Sequence, residues 1–200
     1  MLLCDIGNTS YHFLDADEDY KEDVKTFNPA SIKENVYYIC VEPNTKKSLL
    51  KLSNWIDLSE KIDIGNYYNT MGIDRIVACE AVQNGVIIDA GSAITVDVVK
   101  DDVFQGGFIY PGCRAMSFTY KNISSALDYE FNYDLDTKKL PKNSQDAISY
   151  GYLKLLYSEV ISYKMPIILT GGDANLLKKI FVDAKVNDRL IFAGDRRAHV

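Results

Sequence analysis

The chain has 200 residues, of which 47% are hydrophobic, and its formal net charge is −6 at pH 7. This length and apolar content suffice for a buried core and exclude a disordered chain. The acidic balance argues against a nucleic-acid-binding protein, because such proteins usually present a basic face. No run approaches the roughly 20 apolar residues of a membrane span, and no secretion signal is recognisable, so the sequence predicts a cytoplasmic protein.

The first part of the chain alternates hydrophobic strands with turns. Strands are predicted over Leu2–Asp5 and Tyr11–Leu14, and a third over Val36–Val41 precedes a helix from Thr45 to Leu52. The acidic run Asp15–Asp23 is expected to form a solvated hairpin edge. These elements indicate half of a sheet with a helix packed against it.

The second part begins after a tyrosine-rich connector, residues 65–72. A helix is predicted from about Ile73 through Gln83, with Asp74 as a carboxylate near its N-terminus. Three strands then repeat the opening arrangement: Val86–Asp89, Ile94–Val99 and Val103–Tyr110.

The remaining elements complete a second α/β unit. Pro111-Gly112 ends the sheet, a helix is predicted to about Leu127, another begins at Ser144 as its N-cap, and a strand covers Ile167–Leu169. The sequence therefore predicts an α/β fold of two similar lobes around a cleft. We place the N-terminal lobe, with the first phosphate turn, at residues 1–75 and the C-terminal lobe at residues 76–200.

Two strands run into the same short motif. Leu2-Leu3-Cys4 leads into Asp5-Ile6-Gly7-Asn8-Thr9, and Val86-Ile87-Ile88 leads into Asp89-Ala90-Gly91-Ser92-Ala93. A carboxylate, a glycine turn and a hydroxyl are what a site for metal-bound phosphate needs, since exposed N–H groups and the hydroxyl can donate to phosphate oxygens. A third glycine turn, Thr170-Gly171-Gly172-Asp173, suits adenosine or its phosphates.

These three turns are accompanied by Gly72-Ile73-Asp74-Arg75 and by Gly106-Gly107-Phe108-Ile109-Tyr110-Pro111-Gly112. Together, in this order and spacing, they resemble type III pantothenate kinase over nearly the whole chain. The resemblance implies a duplicated, ribonuclease-H-like mixed sheet with flanking helices around a nucleotide cleft, as in the superfamily of acetate and sugar kinases, heat-shock protein 70 and actin. It also implies ATP-dependent phosphorylation of pantothenate, the first step of coenzyme A biosynthesis.

The resemblance assigns the nucleotide-binding residues. It implies that Asp5 lies near the Mg²⁺ that ATP carries, that Asp89 binds a monovalent cation, K⁺ or NH₄⁺, and that Ser92 contacts ATP. The rest of the first phosphate-binding segment is Ile6, Gly7, Asn8, Thr9, Ser10, Tyr11 and His12.

The resemblance also assigns the substrate-binding residues. It implies that the segment Gly72, Ile73, Asp74 and Arg75 holds pantothenate and that Asp74 accepts the proton of its primary hydroxyl. Tyr68 and Ser144 match further substrate contacts, although Tyr67 is an adjacent rival to Tyr68. Arg75 could neutralise the transferred phosphoryl group or hold the pantothenate carboxylate. A homodimer is also implied, with no nucleic acid or membrane as partner.

Plainer interpretations remain open for single residues. An isolated Asp-x-Gly is usually a strand-end turn, and Asp74-Arg75 could be a helix terminus with a solvated ion pair. The alternatives for the whole chain are another small-molecule kinase of the superfamily and a non-catalytic transcriptional accessory protein of the same family. Intact Asp5, Asp74 and Asp89 argue against the loss of catalysis.

Overall fold

The structure is a computed structural model that describes the backbone of residues 1–197 and the side chains of residues 1–194. The strands of this part of the chain are β1 Leu2–Ile6, β2 Ser10–Asp15, β3 Glu18–Asp23, β4 Val36–Cys40, β5 Trp55–Asp57, β6 Gly85–Ala90, β7 Ala93–Lys100, β8 Val103–Pro111, β9 Ile167–Thr170 and β10 Lys185–Val186. The α-helices are α1 Pro43–Leu49, α2 Ile73–Glu80, α3 Cys113–Ile123, α4 Ser144–Ser162, α5 Ala174–Leu177 and α6 Leu190–Arg197.

The chain forms two compact units with one topology. The first sheet has the order β3-β2-β1-β4-β5, and the second, read from its opposite edge, has the order β8-β7-β6-β9-β10. In each sheet the first three strands along the chain form an antiparallel meander. The fourth strand pairs in parallel with the first, and the fifth pairs in parallel with the fourth. The predicted fold class, a duplicated mixed sheet with flanking helices, is confirmed.

The central strand of the first unit is buried on both faces. Leu2, Cys4 and Ile6 pack into a core with aromatic side chains that include Phe13. Leu3 points to the other face, where it packs with Phe192 of α6. Burial on both faces explains why this strand reads as a continuous hydrophobic run rather than an alternating one.

The central strand of the second unit, β6, repeats this arrangement. Val86, Ile88 and Ala90 are fully buried and pack in one cluster with apolar side chains of β7, β9, α4 and α5. The spacing of apolar residues predicts a buried face of α4, and this is confirmed at Ile148, Tyr152, Leu156 and Val160. The prediction was wrong at Leu155, which is 66% exposed.

Several predicted boundaries were wrong. Helix α1 begins at Pro43, since Glu42 caps it by accepting the N–H groups of Asn44 and Thr45 at 3.1 and 2.6 Å. It ends at Leu49. The strand Trp55–Asp57 was not predicted, because three residues carry no recognisable periodicity. Helices α2 and α3 end at Glu80 and Ile123, earlier than predicted.

The charged run after β2 is confirmed as a hairpin edge. All six residues of β3 are exposed, and this strand lies at the edge of the first sheet. Charged side chains on an edge strand oppose pairing with another sheet edge, so this composition suits the position.

The two units divide at different residues from the two predicted lobes. The first unit comprises residues 1–81 and the segment from Arg189 onward, and the second comprises residues 82–188. Helix α2 stays in the first unit because it packs against α6, where a Cβ on Gly194 would collide with the carbonyl oxygen of Val77. The last three residues of the predicted second lobe lie outside the described residues.

Among the described residues, one tyrosine hydroxyl buried in the core of the first unit makes no hydrogen bond. The hydroxyl of Tyr38, which is fully buried, has no partner within the described part of the chain. Burial raises its pKa to about 12, so the group stays neutral. By contrast, the hydroxyl of Tyr152 in the second unit, which is also buried, donates to the Pro111 carbonyl oxygen.

We expect Tyr38→Phe to leave the free energy of unfolding unchanged or to raise it by up to about 1 kcal/mol, because an unpaired buried hydroxyl is removed. The matched variant Tyr152→Phe removes a paired hydroxyl and should lower it by about 1 kcal/mol. Urea denaturation followed by circular dichroism measures both changes. A larger loss in Tyr38→Phe than in Tyr152→Phe would contradict this assignment.

Candidate active site

The first glycine turn joins β1 to β2 in the first unit. The Gly7 N–H donates to the Ser10 carbonyl at 3.1 Å, and the Val24 N–H donates to the Thr9 carbonyl at 3.1 Å. These bonds fix the turn from inside, while Asn8 and Thr9 lie at its exposed tip. Both tip residues have side chains that can donate to an anion.

Asp5 precedes this turn on the central strand and is half-buried. It lies opposite His12 of β2 and Ile39 of β4 in the sheet register. The carboxylate therefore stands near the strand end, at the start of the segment predicted to bind phosphate.

The other members of this segment differ in what their side chains can reach. Ile6 and Tyr11 are buried in the core, so only their backbone is available to a ligand. His12 is 8% exposed, and its Nε2 lies 3.0 Å from Asp19 Oδ2. Arg189 Nε also donates to Asp19, at 2.8 Å. The hydrogen bonds from His12 and Arg189 lower the pKa of the Asp19 carboxyl.

The predicted substrate segment forms the start of α2, also in the first unit. Gly72 is the N-cap residue, and Asp74 lies in the first turn. Asp74 Oδ1 accepts the N–H of Arg75 at 2.9 Å. A Cβ on Gly72 would collide with this oxygen, so the carboxylate folds back over a position that only glycine leaves open.

Burial raises the pKa of the Asp74 carboxyl above its ordinary value, against the opposing effects of the Arg75 N–H and of the Arg75 charge. A carboxylate with a raised pKa is a stronger base than a free one and is common at catalytic sites. The sequence alone gave no reason to expect this shift.

Two neighbouring tyrosines have different partners. The Arg75 guanidinium, 5% exposed, donates to the Tyr68 hydroxyl at 2.5 Å and lies 5.8 Å from the centre of the Tyr68 ring. The Tyr67 hydroxyl donates instead to Glu80 at 2.6 Å. Tyr68 is thus the tyrosine that adjoins the Gly72–Arg75 segment.

The second unit carries the corresponding glycine turn between β6 and β7. Asp89 is half-buried and lies opposite Thr95 and Thr170 in the sheet register. The Gly91 N–H donates to the Ala93 carbonyl at 3.0 Å, and Ser92 is exposed at the tip. The turn repeats the order of the first: a carboxylate, a glycine and an exposed hydroxyl.

Two other glycines bring neighbouring segments against this turn. A Cβ on Gly112 would lie 2.6 Å from the Gly91 carbonyl oxygen, and one on Gly171 would lie 2.7 Å from that of Ala90. Gly171 also has φ +87°, which glycine adopts without strain. The Asp173 N–H donates to the Ala90 carbonyl at 2.9 Å. The second and third glycine turns therefore lie side by side.

A cavity of about 410 Å³ opens beside the third turn, within the size range of small-molecule sites. Its lining is mixed apolar, aromatic and charged: Cys113, Arg114, Ser117, Glu130, Phe131, Tyr133, Asp173 and Leu176. Sequence reasoning found Asp173 but missed the other lining residues, since they come from two helices, α3 and α5, and from an irregular segment without a motif.

Ser144, the remaining predicted substrate residue, is exposed at the first position of α4. Its predicted role as the N-cap was wrong, because Asn143 precedes it and accepts the Asp146 N–H at 2.9 Å. The Ser144 hydroxyl is therefore not needed to cap the helix.

No group of three or more His, Cys, Asp or Glu side chains that could hold a metal ion occurs among the described residues. Asp5 and Asp89 are instead single carboxylates beside glycine turns. This donor set fits an ion that takes most of its ligands from phosphates, backbone carbonyls and water, as Mg²⁺ bound to a nucleotide does.

Comparisons with known proteins agree with these motifs. A sequence model of the family "Type III pantothenate kinase" matches residues 42–163. The type III pantothenate kinase of Sulfurimonas denitrificans is 61% identical, over 97% of this chain and 95% of its own. That of Wolinella succinogenes is 38% identical, over 97% and 94%.

Solved structures support the fold. A Campylobacter jejuni protein, described as a provisional member of the Baf family of transcriptional activators, superposes with a TM-score of 0.89 at 35% identity, over 99% of this chain and 96% of its own. A provisional 2-dehydro-3-deoxygalactonokinase of Sinorhizobium meliloti gives 0.57 at 11% identity, over 99% and 95%, and shows the fold alone.

The family match covers more than half of the chain, and the 61% identical relative covers nearly all of it. With the carboxylate-glycine turns in both units and the Gly72–Arg75 segment at the start of α2, these matches show that the chain belongs to the type III pantothenate kinase family.

Proposed function

We propose that this protein transfers the γ-phosphoryl group of ATP to the primary hydroxyl of pantothenate, giving 4′-phosphopantothenate in the first step of coenzyme A biosynthesis. The observation that carries this proposal is the 61% identity to a type III pantothenate kinase over almost the entire chain. The Asp74 carboxylate, held at a helix start with a raised pKa, supplies the base that such a reaction needs.

In the proposed reaction, the pantothenate hydroxyl oxygen bonds to the γ-phosphorus as the bond to the β-phosphate bridging oxygen breaks. Asp74 takes the hydroxyl proton, and ADP leaves. Because phosphoryl transfer has a loose transition state, alignment and charge stabilisation supply most of the rate. The base therefore needs only a modest elevation of its pKa.

Tyr68 and the Gly72–Arg75 segment of the first unit are proposed to bind pantothenate, and Ser144 of the second unit stays a predicted pantothenate contact. The Arg75 guanidinium is buried and bonded to the Tyr68 hydroxyl, so its position is fixed before substrate arrives. A guanidinium held in this way suits a carboxylate or phosphoryl oxygen, both of which it can bind through two N–H groups.

Each turn with an exposed hydroxyl is proposed to contact phosphate oxygens of ATP by itself: the turn of the first unit through Asn8 and Thr9, and the turn of the second unit through Ser92. The cavity beside Asp173 is proposed to take the adenosine, with Phe131 and Leu176 as its apolar contacts. A nucleobase needs an apolar wall, which the phosphate turns do not offer.

Two ions complete the proposal. Asp5 would lie near Mg²⁺, and Asp89 would bind K⁺ or NH₄⁺. When bound with ATP, Mg²⁺ neutralises phosphate charge. A homodimer and a cytoplasmic location stay predictions. Among the described helices, none combines the length and apolarity of a membrane span.

The alternative of a transcriptional role has one observation in its favour, the description of the similar Campylobacter jejuni structure. The net charge of −6 disfavours direct DNA binding, because a DNA-binding surface neutralises phosphates with Lys and Arg. A protein that bound DNA without turning over pantothenate would support this alternative.

The proposal is tested by ADP release from Mg-ATP with and without pantothenate, and with K⁺ present or absent. We expect Asp74→Asn to lose about a thousandfold in kcat, because the amide cannot accept the proton. Nucleotide affinity should be retained. Turnover near the wild-type level in the folded variant would contradict the role of Asp74 as base.

The same variant should not lose stability. The raised pKa means that folding favours the protonated form of Asp74. This protonated form contributes to the stability of the fold below the pKa of the unfolded state, and the contribution is lost as the pH rises through the pKa of the folded state. At neutral pH the charged carboxylate is therefore a cost, and Asn removes it. Thermal unfolding of Asp74→Asn at pH 7 should give a Tm equal to or above that of the wild type, and a clearly lower Tm would contradict the desolvation argument.

The rate should fall as the pH is lowered, because protonated Asp74 cannot accept a proton. Since burial raises the pKa of Asp74, the acid limb of kcat should have its midpoint above the ordinary aspartate value of 3.8. A profile of kcat from about pH 4 to about pH 8, measured with saturating substrates at constant ionic strength, locates this midpoint. A rate that stays flat down to the ordinary value would refute the assignment.

The adenosine cavity is tested by Leu176→Glu, which places a charge on its apolar wall. We expect KM for ATP to rise about fivefold or more, with little change in KM for pantothenate. Val182→Glu, at a comparably apolar exposed position outside the cavity lining, is the control and should leave both constants unchanged. Equal effects of the two variants would place adenosine elsewhere.

A further inference from the structure

The corner between β8 and α3, formed by Pro111 and Gly112, packs against the glycine turn of the second unit at Gly91 and Ser92. The Gly112 N–H donates to the Ser92 carbonyl at 3.1 Å. Gly112 is buried, and a Cβ at this position would collide with the carbonyls of Gly91 and Ser92. A shift of the corner must therefore move the Gly91–Ser92 backbone with it.

The corner is held by one side chain of helix α4. Tyr152 is 3% exposed, and its hydroxyl donates to the carbonyl oxygen of Pro111, the residue before Gly112. In return, the Tyr110 hydroxyl donates to the Tyr152 carbonyl at 3.4 Å. The two strand-end residues of β8 are thus tied to the middle of a 19-residue helix.

The Tyr152 ring is itself fixed by aromatic neighbours. Its centre lies 4.7 Å from that of Tyr110 and 5.0 Å from that of Phe131. Burial, the largest cause, together with nearby Cys113 raises the pKa of the Tyr152 hydroxyl far above its ordinary value. The hydroxyl is therefore a neutral donor at any working pH, and its hydrogen bond does not titrate.

We propose that Tyr152 is a positioning residue for phosphoryl transfer: through Pro111 and Gly112 it fixes the Gly91–Ser92 turn that receives the ATP phosphates. This inference rests on the proposed function for the identity of the ligand at Ser92. Tyr152 itself is not proposed to touch either pantothenate or the nucleotide. Its effect passes through the backbone of the corner, so removal of the hydroxyl alone should be felt at the turn.

The test is Tyr152→Phe, which keeps the ring and removes only the hydroxyl. Tyr38→Phe, which also removes a buried tyrosine hydroxyl but in the first unit, is the matched control. Hydrogen exchange of peptides covering the Gly91–Ser92 turn and the Gly112 corner should be faster in Tyr152→Phe than in the control. With ATP as the varied substrate, KM should rise about fivefold, and KM for pantothenate should change by less than about twofold.

The outcomes separate this inference from the proposed function. Unchanged exchange at both segments overturns the role of Tyr152, whatever the kinetics. Faster exchange with an unchanged KM for ATP also overturns it, because the turn would then be loosened without consequence. If the wild type does not phosphorylate pantothenate, direct binding of ATP to both variants replaces KM, and the exchange comparison still decides.

If Tyr152 had only a structural role, Tyr152→Phe would lower Tm by the amount expected for the loss of about one buried hydrogen bond. The KM for ATP, measured at about 20 °C, would then be unchanged. If Tyr152→Phe does not fold, Tyr110→Phe removes the weaker bond of the same corner. It should then give a smaller rise in KM for ATP, on the order of twofold. No rise in that variant would overturn the inference.

Discussion

The central strand of each sheet is buried on both faces, so its polar groups can face a ligand only at the strand end. Asp5 and Asp89 occupy these ends in β1 and β6, and each is followed by a glycine turn with an exposed hydroxyl at its tip. The duplicated topology places the same chemical sequence at the same point of both sheets. Phosphate binding is a natural use of such turns, because their backbone N–H groups are not all consumed by the sheet.

The proposed role of Asp74 as a base and the stability of the fold make opposite demands at the start of α2. Burial of Asp74 disfavours its charged form, which costs stability at neutral pH but makes the carboxylate a better base. Gly72 permits this geometry because it leaves room for Asp74 Oδ1. Functional sites are where such local costs are expected, and the rest of the fold must offset them.

Much of the fold was predictable from the sequence, since buried strands and glycine turns leave local patterns. The site was predictable only in part. Resemblance selected Tyr68 and Asp74, but the pairing of Tyr68 with Arg75 and the raised pKa of Asp74 arise from tertiary burial, which no short motif encodes. Likewise, nothing local marks Tyr152 as different from other helix-face aromatics, and its partner lies 41 residues away.

Phosphorylation of pantothenate is tested most directly by the mass of the reaction product. Purified protein is incubated with Mg-ATP, pantothenate and K⁺, and ADP and phosphopantothenate are quantified together by mass spectrometry. The proposed reaction yields equal amounts of ADP and of pantothenate carrying one added phosphoryl group. ADP without phosphorylated pantothenate, or neither product from folded protein, would contradict it.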